Sequence, residues 1–203
     1  MKKDAVLHEP GDIVTLAGTR FVVLDVERRG SLPDSLFLLA LESVGASEFG
    51  SSNNYAESDL KKAVDKWLED MGKRGLDNAK LIPREIDLTT LDGSGCYGKL
   101  SVKAAPLTLD EAREYADIIP NAERWCWLAT GWSGPSKSDG DRALDVFSNG
   151  DWDFNGCSSS YGIRPALKIP SDLLLDSADK PDLSEVPTDT LLEEIRRRVV
   201  DKA

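Results

Sequence analysis

Apolar positions near the start of the chain occur in three short runs that predict an antiparallel meander. The runs cover residues 13–16, 21–26 and 36–41. The first two are rich in β-branched residues, and a short break containing Gly18 separates them, as is typical of a hairpin. The third run is apolar at every position, which indicates a strand that is buried on both faces.

The spacing of apolar residues then changes to that of amphipathic helices. A first helix is predicted to begin after Ser58, a good N-cap residue, and to end near Gly72. A second helix is predicted from Thr108 and Glu111, which match a capping box, and Pro120 would end it. The apolar stripe of the first helix consists of Leu60, Val64, Trp67, Leu68 and Met71.

The character of the chain changes again at residue 131. In the window 131–162, Ser, Gly, Asp and Asn supply 20 of the 32 residues. Such a composition is typical of disorder, but this window also contains five aromatic residues, in which disordered segments are poor. We therefore predict irregular but ordered loops around a short strand at 143–147, followed by a last strand at 163–169, with Pro165 at an edge or bulge.

The mixture of aromatic and small polar residues in this window is typical of binding surfaces. Trp and Tyr supply large contact areas at little entropic cost, while Ser, Gly and Asn supply adaptable hydrogen bonds. The alternative is that these aromatic residues fill the core of the domain, where we also expect Trp125 and Trp127. The residues predicted to form a binding surface are Trp132, Trp152, Phe154, Asn155, Ser159 and Tyr161.

Charge and composition exclude several classes of protein. The chain has 203 residues, 25 basic and 36 acidic, and a formal net charge of −11, so we expect no nucleic-acid partner. No apolar run approaches the roughly 18 residues of a membrane helix, so we expect no membrane insertion. Three cysteines without a Cys-x-x-Cys pair make a disulfide framework or zinc site improbable, and a single histidine leaves few general bases.

Two glycine-containing motifs resemble ligand loops without completing them. Residues 93–99 match most of a phosphate-binding loop, but Leu100 stands where a Ser or Thr would bind magnesium, and a strand-like segment follows. We expect a glycine-rich hairpin loop there. Asp151, Asp153 and Asn155 match the first half of a calcium loop, but Gly162 stands at the position of its bidentate Glu. We expect a tight turn in an acidic loop, with calcium as the one cofactor left open.

The pattern of the whole chain predicts three consecutive parts. We expect one domain over residues 1–170, an acidic linker at 171–187 and a terminal helix at 188–203. The start of the chain, Met1-Lys2-Lys3-Asp4, lacks the apolar run of a signal peptide. We therefore expect cytoplasmic synthesis, which is compatible with a later place in a phage particle or at a cell surface.

Five blocks in this order resemble bacterial and phage domains of unknown function with a C-type-lectin-like fold, of the formylglycine-generating-enzyme group. The resemblance covers residues 11–169, and its most telling block is Gly162-Ile163-Arg164-Pro165-Ala166-Leu167. The other blocks are residues 21–25, 55–68, 107–112 and 125–128. The resemblance implies an α+β fold with two helices, a small twisted antiparallel sheet and long late loops that present the binding surface.

The resemblance also bears on function. Some relatives are variable proteins of diversity-generating retroelements, whose late segment is mutated to change ligand choice. The calcium and sugar motifs of lectins do not occur, and Cys126 and Cys157 are not matched to the catalytic cysteine pair of the formylglycine-generating enzyme. We therefore expect a non-enzymatic module without catalytic residues that binds a protein or other macromolecule. The alternatives are an enzyme using a reactive Cys126 or Cys157, and a structural subunit docked by its terminal helix.

Overall fold

The computed structural model describes residues 2–4, 8–29, 32–147, 149–171 and 173–177. Within them the chain forms two α-helices and fourteen strands. The helices are α1 (Asp59–Lys73) and α2 (Leu109–Glu114), and a 3-10 helix (Tyr55–Glu57) precedes α1. The strands are β1 (Lys2–Asp4), β2 (Ile13–Leu16), β3 (Thr19–Arg29), β4 (Leu32–Ala40), β5 (Ala46–Glu48), β6 (Arg84–Asp87), β7 (Lys99–Val102), β8 (Ala104–Ala105), β9 (Cys126–Gly131), β10 (Arg142–Val146), β11 (Trp152–Gly156), β12 (Ser160–Gly162), β13 (Ala166–Pro170) and β14 (Leu174–Ser177).

The predicted meander forms the centre of a seven-stranded sheet, ordered β1-β14-β2-β3-β4-β13-β8. Strands β2, β3 and β4 pair antiparallel in sequence order, so the prediction of a meander is confirmed. The continuously apolar run is buried on both faces, because Leu38 belongs to one hydrophobic core and Leu39 to another. Strand β13 pairs with both β4 and β8, and Pro165 lies just before it, where the missing N–H interrupts no ladder.

Both predicted helices are present, but the second is shorter than its apolar stripe. Helix α1 begins after Ser58, whose hydroxyl accepts from the Lys61 N–H at 2.9 Å. Thr108 and Glu111 form the expected capping box at the start of α2. After Glu114 the chain continues through turns instead of helix. The residue before a proline avoids the α region, so Pro120 restricts Ile119 alone, and the Ile119 N–H still donates to the Tyr115 carbonyl at 3.0 Å.

The late window is more regular than predicted. Instead of loops around one short strand, it contains β10, β11 and β12, which join β9 and β5 in a five-stranded sheet ordered β11-β10-β9-β12-β5. The ladders are antiparallel except for one β9–β12 pairing, which is parallel. Sequence pattern missed β11 and β12 because Ser, Asp, Asn and Gly are depleted in strands, and only pairing with neighbouring strands makes them regular.

The remaining predictions on the course of the chain concern hairpins and boundaries. The glycine-rich segment before Lys99 lies between β6 and β7, which pair antiparallel, so the predicted hairpin is confirmed. Strand β14 pairs with β2, so the large sheet continues past residue 170, the predicted end of the domain. The apolar run 173–175 in the otherwise acidic tail was the available signal. Residues 178–187 of the predicted linker and the terminal helix at 188–203 lie outside the described residues.

Two hydrophobic cores hold these layers together. One core packs α1 against one face of the large sheet and reaches Trp127 of β9. The second core lies on the opposite face of the large sheet, where α2, β9 and β10 cover it. The fold is therefore α+β, consisting mostly of small antiparallel and mixed sheets with two helices. No helix among the described residues is long and apolar enough to span a membrane.

The capping box of α2 gives a direct test of how this helix is held. Thr108→Ala removes the hydroxyl that accepts from the Glu111 N–H at 3.2 Å, whereas Thr108→Ser keeps it. We expect the Ala variant to lower the free energy of unfolding by about 1 kcal/mol, measured by urea denaturation. The Ser variant should lose less. Equal losses in the two variants would show that the hydroxyl does not contribute.

Candidate binding surface

The β10–β11 hairpin places two of the predicted binding residues on one face. Phe154 pairs with Leu144, and Trp152 pairs with Val146, in the antiparallel register. Residues two apart in a strand point to the same side of the sheet. Trp152 and Phe154 therefore lie together over the face that contains the second hydrophobic core.

A third predicted residue joins them from the end of β9. The rings of Trp132 and Phe154 stack with their centroids 3.8 Å apart and their planes at 30°. The guanidinium of Arg142 lies 5.3 Å from the centroid of the Phe154 ring, a cation–π distance. The Phe154 ring therefore contacts both the Trp132 ring and the Arg142 guanidinium, and these contacts restrict its orientation at the surface.

These aromatic side chains line a groove between the hairpin, the start of α2 and the β6–β7 loop. We call it the aromatic groove; its volume is about 480 Å³. Trp152 is 42% exposed and Leu91 is 39% exposed, and they are the most exposed large apolar side chains among the described residues. The principal lining residues are Leu91, Leu109, Arg113, Trp132, Trp152 and Phe154.

Hydrogen bonds of the backbone hold the two sides of the aromatic groove in place. The N–H groups of Leu91 and Asp92 donate to the carbonyls of Gly131 and Trp132, at 3.0 and 3.2 Å. An ion pair between Lys137 and Asp92 at 2.5 Å links the same loop to the segment after β9. The loop that carries Leu91 is therefore fixed against the strand that leads to Trp132.

A buried asparagine anchors the segment between β9 and β10. The Asn53 amide donates to the carbonyls of Ser133 and Arg142, at 2.8 and 3.0 Å, and its oxygen accepts from the Tyr97 hydroxyl at 2.6 Å. A Cβ at Gly131 would lie only 2.9 Å from this amide, so glycine is required there. The Asn53 side chain thus joins this segment to the first half of the chain, in addition to the β5–β12 ladder.

The other predicted binding residues lie away from the aromatic groove. Asn155 and Tyr161 are on the opposite side of the sheet, where the Asn155 amide donates to Asp145 at 3.0 Å and the Tyr161 ring lies 4.8 Å from that of Trp127. Ser159 lies in the turn between β11 and β12, where its N–H donates to the Gly156 carbonyl. The structure therefore brings together three of the six predicted residues.

Sequence reasoning missed the residues that α2 and the β6–β7 loop contribute to the aromatic groove. Arg113 lies on the exposed side of α2, and Leu91 is an apolar residue in a polar, glycine-rich loop. The available signal in the sequence was an apolar residue, Leu91, within a polar loop, because such a loop is expected to leave its side chains exposed. Its proximity to Trp132 depends on long-range pairing, which the local pattern does not contain.

The calcium-loop candidates adopt a different conformation from the one expected. Trp152–Gly156 form a paired strand, so the tight turn predicted there is wrong; pairing with β10 overrides the turn preference of Asp and Asn. Asp151 accepts from the Asn149 amide at 2.5 Å, and Asn155 donates to Asp145. Among the residues that the structure describes, no group of three or more His, Cys, Asp or Glu side chains is arranged to hold a metal ion.

One carboxyl in the late sheet has an unusual environment. Asp145 is fully buried in β10, opposite Asp153 of β11 and Trp127 of β9. Its Oδ2 accepts from Asn155, while its Oδ1 has no hydrogen-bond partner among the described residues. Burial, reinforced by the charge of Asp153, raises the pKa of Asp145 to about 6.

The two cysteines considered as nucleophiles are both buried. Burial raises the pKa of the Cys126 thiol to about 11 and that of Cys157 to about 12. A catalytic cysteine needs the reverse, an accessible thiol whose pKa is depressed by neighbouring cations. Cys96, by contrast, is exposed.

Comparison of the chain with protein-family models, with curated proteins and with solved structures finds no significant match. The function is therefore argued from the geometry of the surface itself.

The environment of Asp145 predicts a pH-dependent contribution to stability. Its pKa is about 6 in the folded state and about 3.9 in an unfolded chain, so the folded protein binds more protons between these values. Stability contributed by Asp145 is therefore present below about pH 4 and is lost as the pH rises through about 6. The free energy of unfolding of Asp145→Asn should exceed that of the wild type by an amount that rises to about 1–3 kcal/mol between about pH 4 and 7. Urea denaturation at each pH measures this difference. Asp151→Asn, which removes an exposed carboxylate, is the control, and a parallel shift in both variants would contradict the assignment.

The buried thiols predict a simple pattern of chemical modification. We expect iodoacetamide at neutral pH to alkylate Cys96 first, because its thiol is exposed, and Cys126 and Cys157 at least tenfold more slowly, because only the thiolate reacts. Peptide mass spectrometry after timed quenching measures the three rates in one sample, with Cys96 as internal control. Faster labelling of Cys126 or Cys157 would instead favour the enzyme alternative.

Proposed function

We propose that this protein is a non-enzymatic recognition module that binds a protein or other macromolecule through the aromatic groove. The observation that carries the proposal is the convergence of Trp132, Trp152 and Phe154 with the exposed Leu91 in one groove. Exposed apolar patches that are rimmed by polar residues mark interaction sites on protein surfaces. Burial of Cys126 and Cys157, which raises the pKa of both thiols, disfavours the enzyme alternative.

The geometry of the aromatic groove suits a binding hot spot. Trp and Arg are enriched among the residues that dominate binding energy, and rigid rings lose little entropy when they are buried by a partner. Stacking on Trp132 and the Arg142 guanidinium hold Phe154 before any partner arrives. Trp152 is the ring with the most area left to bury, since 42% of it is exposed.

The charge around the aromatic groove selects the kind of partner. Three of the local cations are neutralised: Arg113 by Asp110, Lys137 by Asp92 and Arg142 by Asp139. Asp151 and Asp153, which flank Trp152 in the hairpin, have no cation within ion-pair distance among the described residues. The surface therefore carries excess negative charge, which favours a basic or neutral partner face.

The C-type-lectin-like assignment belongs to the same proposal. It is supported by the order of the five sequence blocks and is consistent with an α+β arrangement in which α2 and the late strands border the candidate surface. If the chain is a retroelement-diversified protein, the codons of exposed positions in the late segment should descend from Asn codons. A near-copy of that segment should then lie nearby in the genome. If neither the Asn-derived codons nor the near-copy is found, only the general recognition role remains.

Substitutions on the two sides of the late sheet test the proposed surface. A phage-displayed peptide library is selected on the immobilised wild-type protein, and the enriched peptides are measured by calorimetry against purified variants. We expect enriched peptides to combine apolar residues with Lys or Arg and to lose at least tenfold in affinity for Trp152→Ala, because truncating a central Trp removes about 2 kcal/mol or more.

The matched control is Tyr161→Phe, which changes the opposite side of the same sheet and should leave the affinity within about twofold. Circular dichroism and urea denaturation confirm that both variants are folded. Peptides that bind Trp152→Ala as tightly as the wild type, or that lose affinity only for Tyr161→Phe, would overturn the assignment of the aromatic groove.

A further inference from the structure

Strand β11 forms one edge of the five-stranded sheet, and its outer side is open. The sheet is ordered β11-β10-β9-β12-β5, so β11 pairs with β10 on one side, and no other strand among the described residues pairs with its outer side. At the opposite edge of the sheet, the Trp127 indole holds the Ser47 carbonyl of β5 at 2.9 Å. An edge strand presents a row of backbone N–H and C=O groups with which another extended chain can pair.

Two backbone hydrogen bonds at the ends of β11 show which of its residues face outward. The Phe147 N–H donates to the Asp151 carbonyl at 2.9 Å, and the Cys157 N–H donates to the Asp141 carbonyl at 2.7 Å. Because bonded pairs alternate along an antiparallel ladder, the odd-numbered residues of β11 bond to β10 and the even-numbered residues turn their backbone groups outward. The outward-facing residues are Trp152, Phe154 and Gly156.

The outward-facing residues connect this edge to the aromatic groove. The side chains of Trp152 and Phe154 line the groove, whereas Gly156 lies outside it. In an antiparallel pair, residues directly opposite each other place their side chains on the same face of the sheet. A strand that pairs with β11 would therefore place alternate side chains beside the groove, and the side chains between them on the other face, opposite Asp153.

One outward N–H is covered by a side chain that a partner can displace. The Phe154 N–H donates to Oδ1 of Asp153 at 2.8 Å, in an exposed position. The N–H and the carbonyl of Trp152 have no hydrogen-bond partner among the described residues. Edge strands are commonly protected by proline or lysine, and β11 contains neither. A partner carbonyl that accepts from the Phe154 N–H would free the Asp153 carboxylate for a cation of the same partner.

We infer that a partner segment with alternating apolar and basic residues adds to this sheet as a strand, pairing antiparallel with β11. Its apolar side chains lie beside the aromatic groove, and its Lys or Arg side chains lie opposite Asp153. The inference rests on the proposed function for the apolar contacts, and it adds the backbone of β11 as a second recognised element.

Charge selects the occupant of this edge. Asp151 and Asp153 have no cation within ion-pair distance among the described residues, and opposite charges on paired strands attract across the ladder. A second copy of this chain is disfavoured, because it carries the same net charge of −11 and would bring another acidic hairpin to the edge. A basic, extended peptide satisfies both the free backbone groups and the carboxylates.

Backbone methylation of a synthetic peptide tests strand addition on the full chain. The probe is acetyl-Lys-Val-Lys-Val-Lys-Val-Lys-amide, measured by isothermal titration in about 0.15 M salt, which screens the net charge of the protein. In the inferred register the Val N–H groups face β11. Methylating the Val nitrogens should therefore weaken binding at least tenfold, because each methyl group removes one hydrogen bond and separates the strands.

The matched control peptide has the same charge and the same number of methyl groups. It is methylated at each Lys nitrogen that follows a Val, where the N–H faces away from β11, and it should bind within about twofold of the unmethylated probe. Equal losses for the two methylated peptides, a larger loss for the Lys-methylated peptide, or the absence of saturable binding of the probe at millimolar concentration would overturn the inference.

A pair of substitutions at Gly156 tests the same edge from the protein side. Gly156→Pro removes an outward N–H without removing a bond to β10, and proline is tolerated on edge strands in such positions. We expect it to weaken binding of the probe at least tenfold. Gly156→Ala keeps the N–H, and its Cβ would approach no atom closer than 4.0 Å, so it should bind within about twofold. If Gly156→Pro fails to fold, the methylated peptides still decide the question.

The outcomes separate this inference from the proposed function. Binding that is lost with Trp152→Ala but is unaffected by methylation or by Gly156→Pro would keep the aromatic groove and overturn strand addition. Binding that depends on methylation and on Gly156→Pro but not on Trp152→Ala would keep strand addition and overturn the groove. A free protein that sediments as a dimer, and that Gly156→Pro converts to a monomer, would assign the edge to a second copy and overturn the basic partner.

Discussion

The architecture depends on burial of the central strands on both of their faces. Successive residues of β4 point to opposite sides, and Leu38 and Leu39 enter two different hydrophobic cores. Strand β9 repeats this arrangement, since every residue from Cys126 to Gly131 is buried. Because a two-faced strand needs an apolar layer on each side, α1 must cover one core, and α2 with the late strands must cover the other. The candidate surface exists because the layer over the second core is thin and its outer side chains reach solvent.

The late strands form in spite of their composition, because polar contacts replace the apolar ones that other strands have. Asn53 joins the segment after β9 to β10, and the Trp127 indole donates to the Ser47 carbonyl at 2.9 Å. Asp145 shows that this solution is incomplete, since one of its oxygens is buried without a partner among the described residues. Its burial raises the pKa of this carboxyl to about 6, so the hairpin contains a group that costs stability when it ionises.

The sequence by itself determined those elements whose signals are local. The meander follows from three apolar runs, α1 from its stripe and the Ser58 cap, and the start of α2 from the pair Thr108 and Glu111. It also placed Trp132, Trp152 and Phe154 among six predicted surface residues, because aromatic and small polar residues are mixed in that window. Only the tertiary structure decided that Asn155 and Tyr161 lie on the other face and that Leu91 joins the groove. These facts depend on strand register and on packing between segments far apart in the chain, and neither is encoded in the spacing of neighbouring residues.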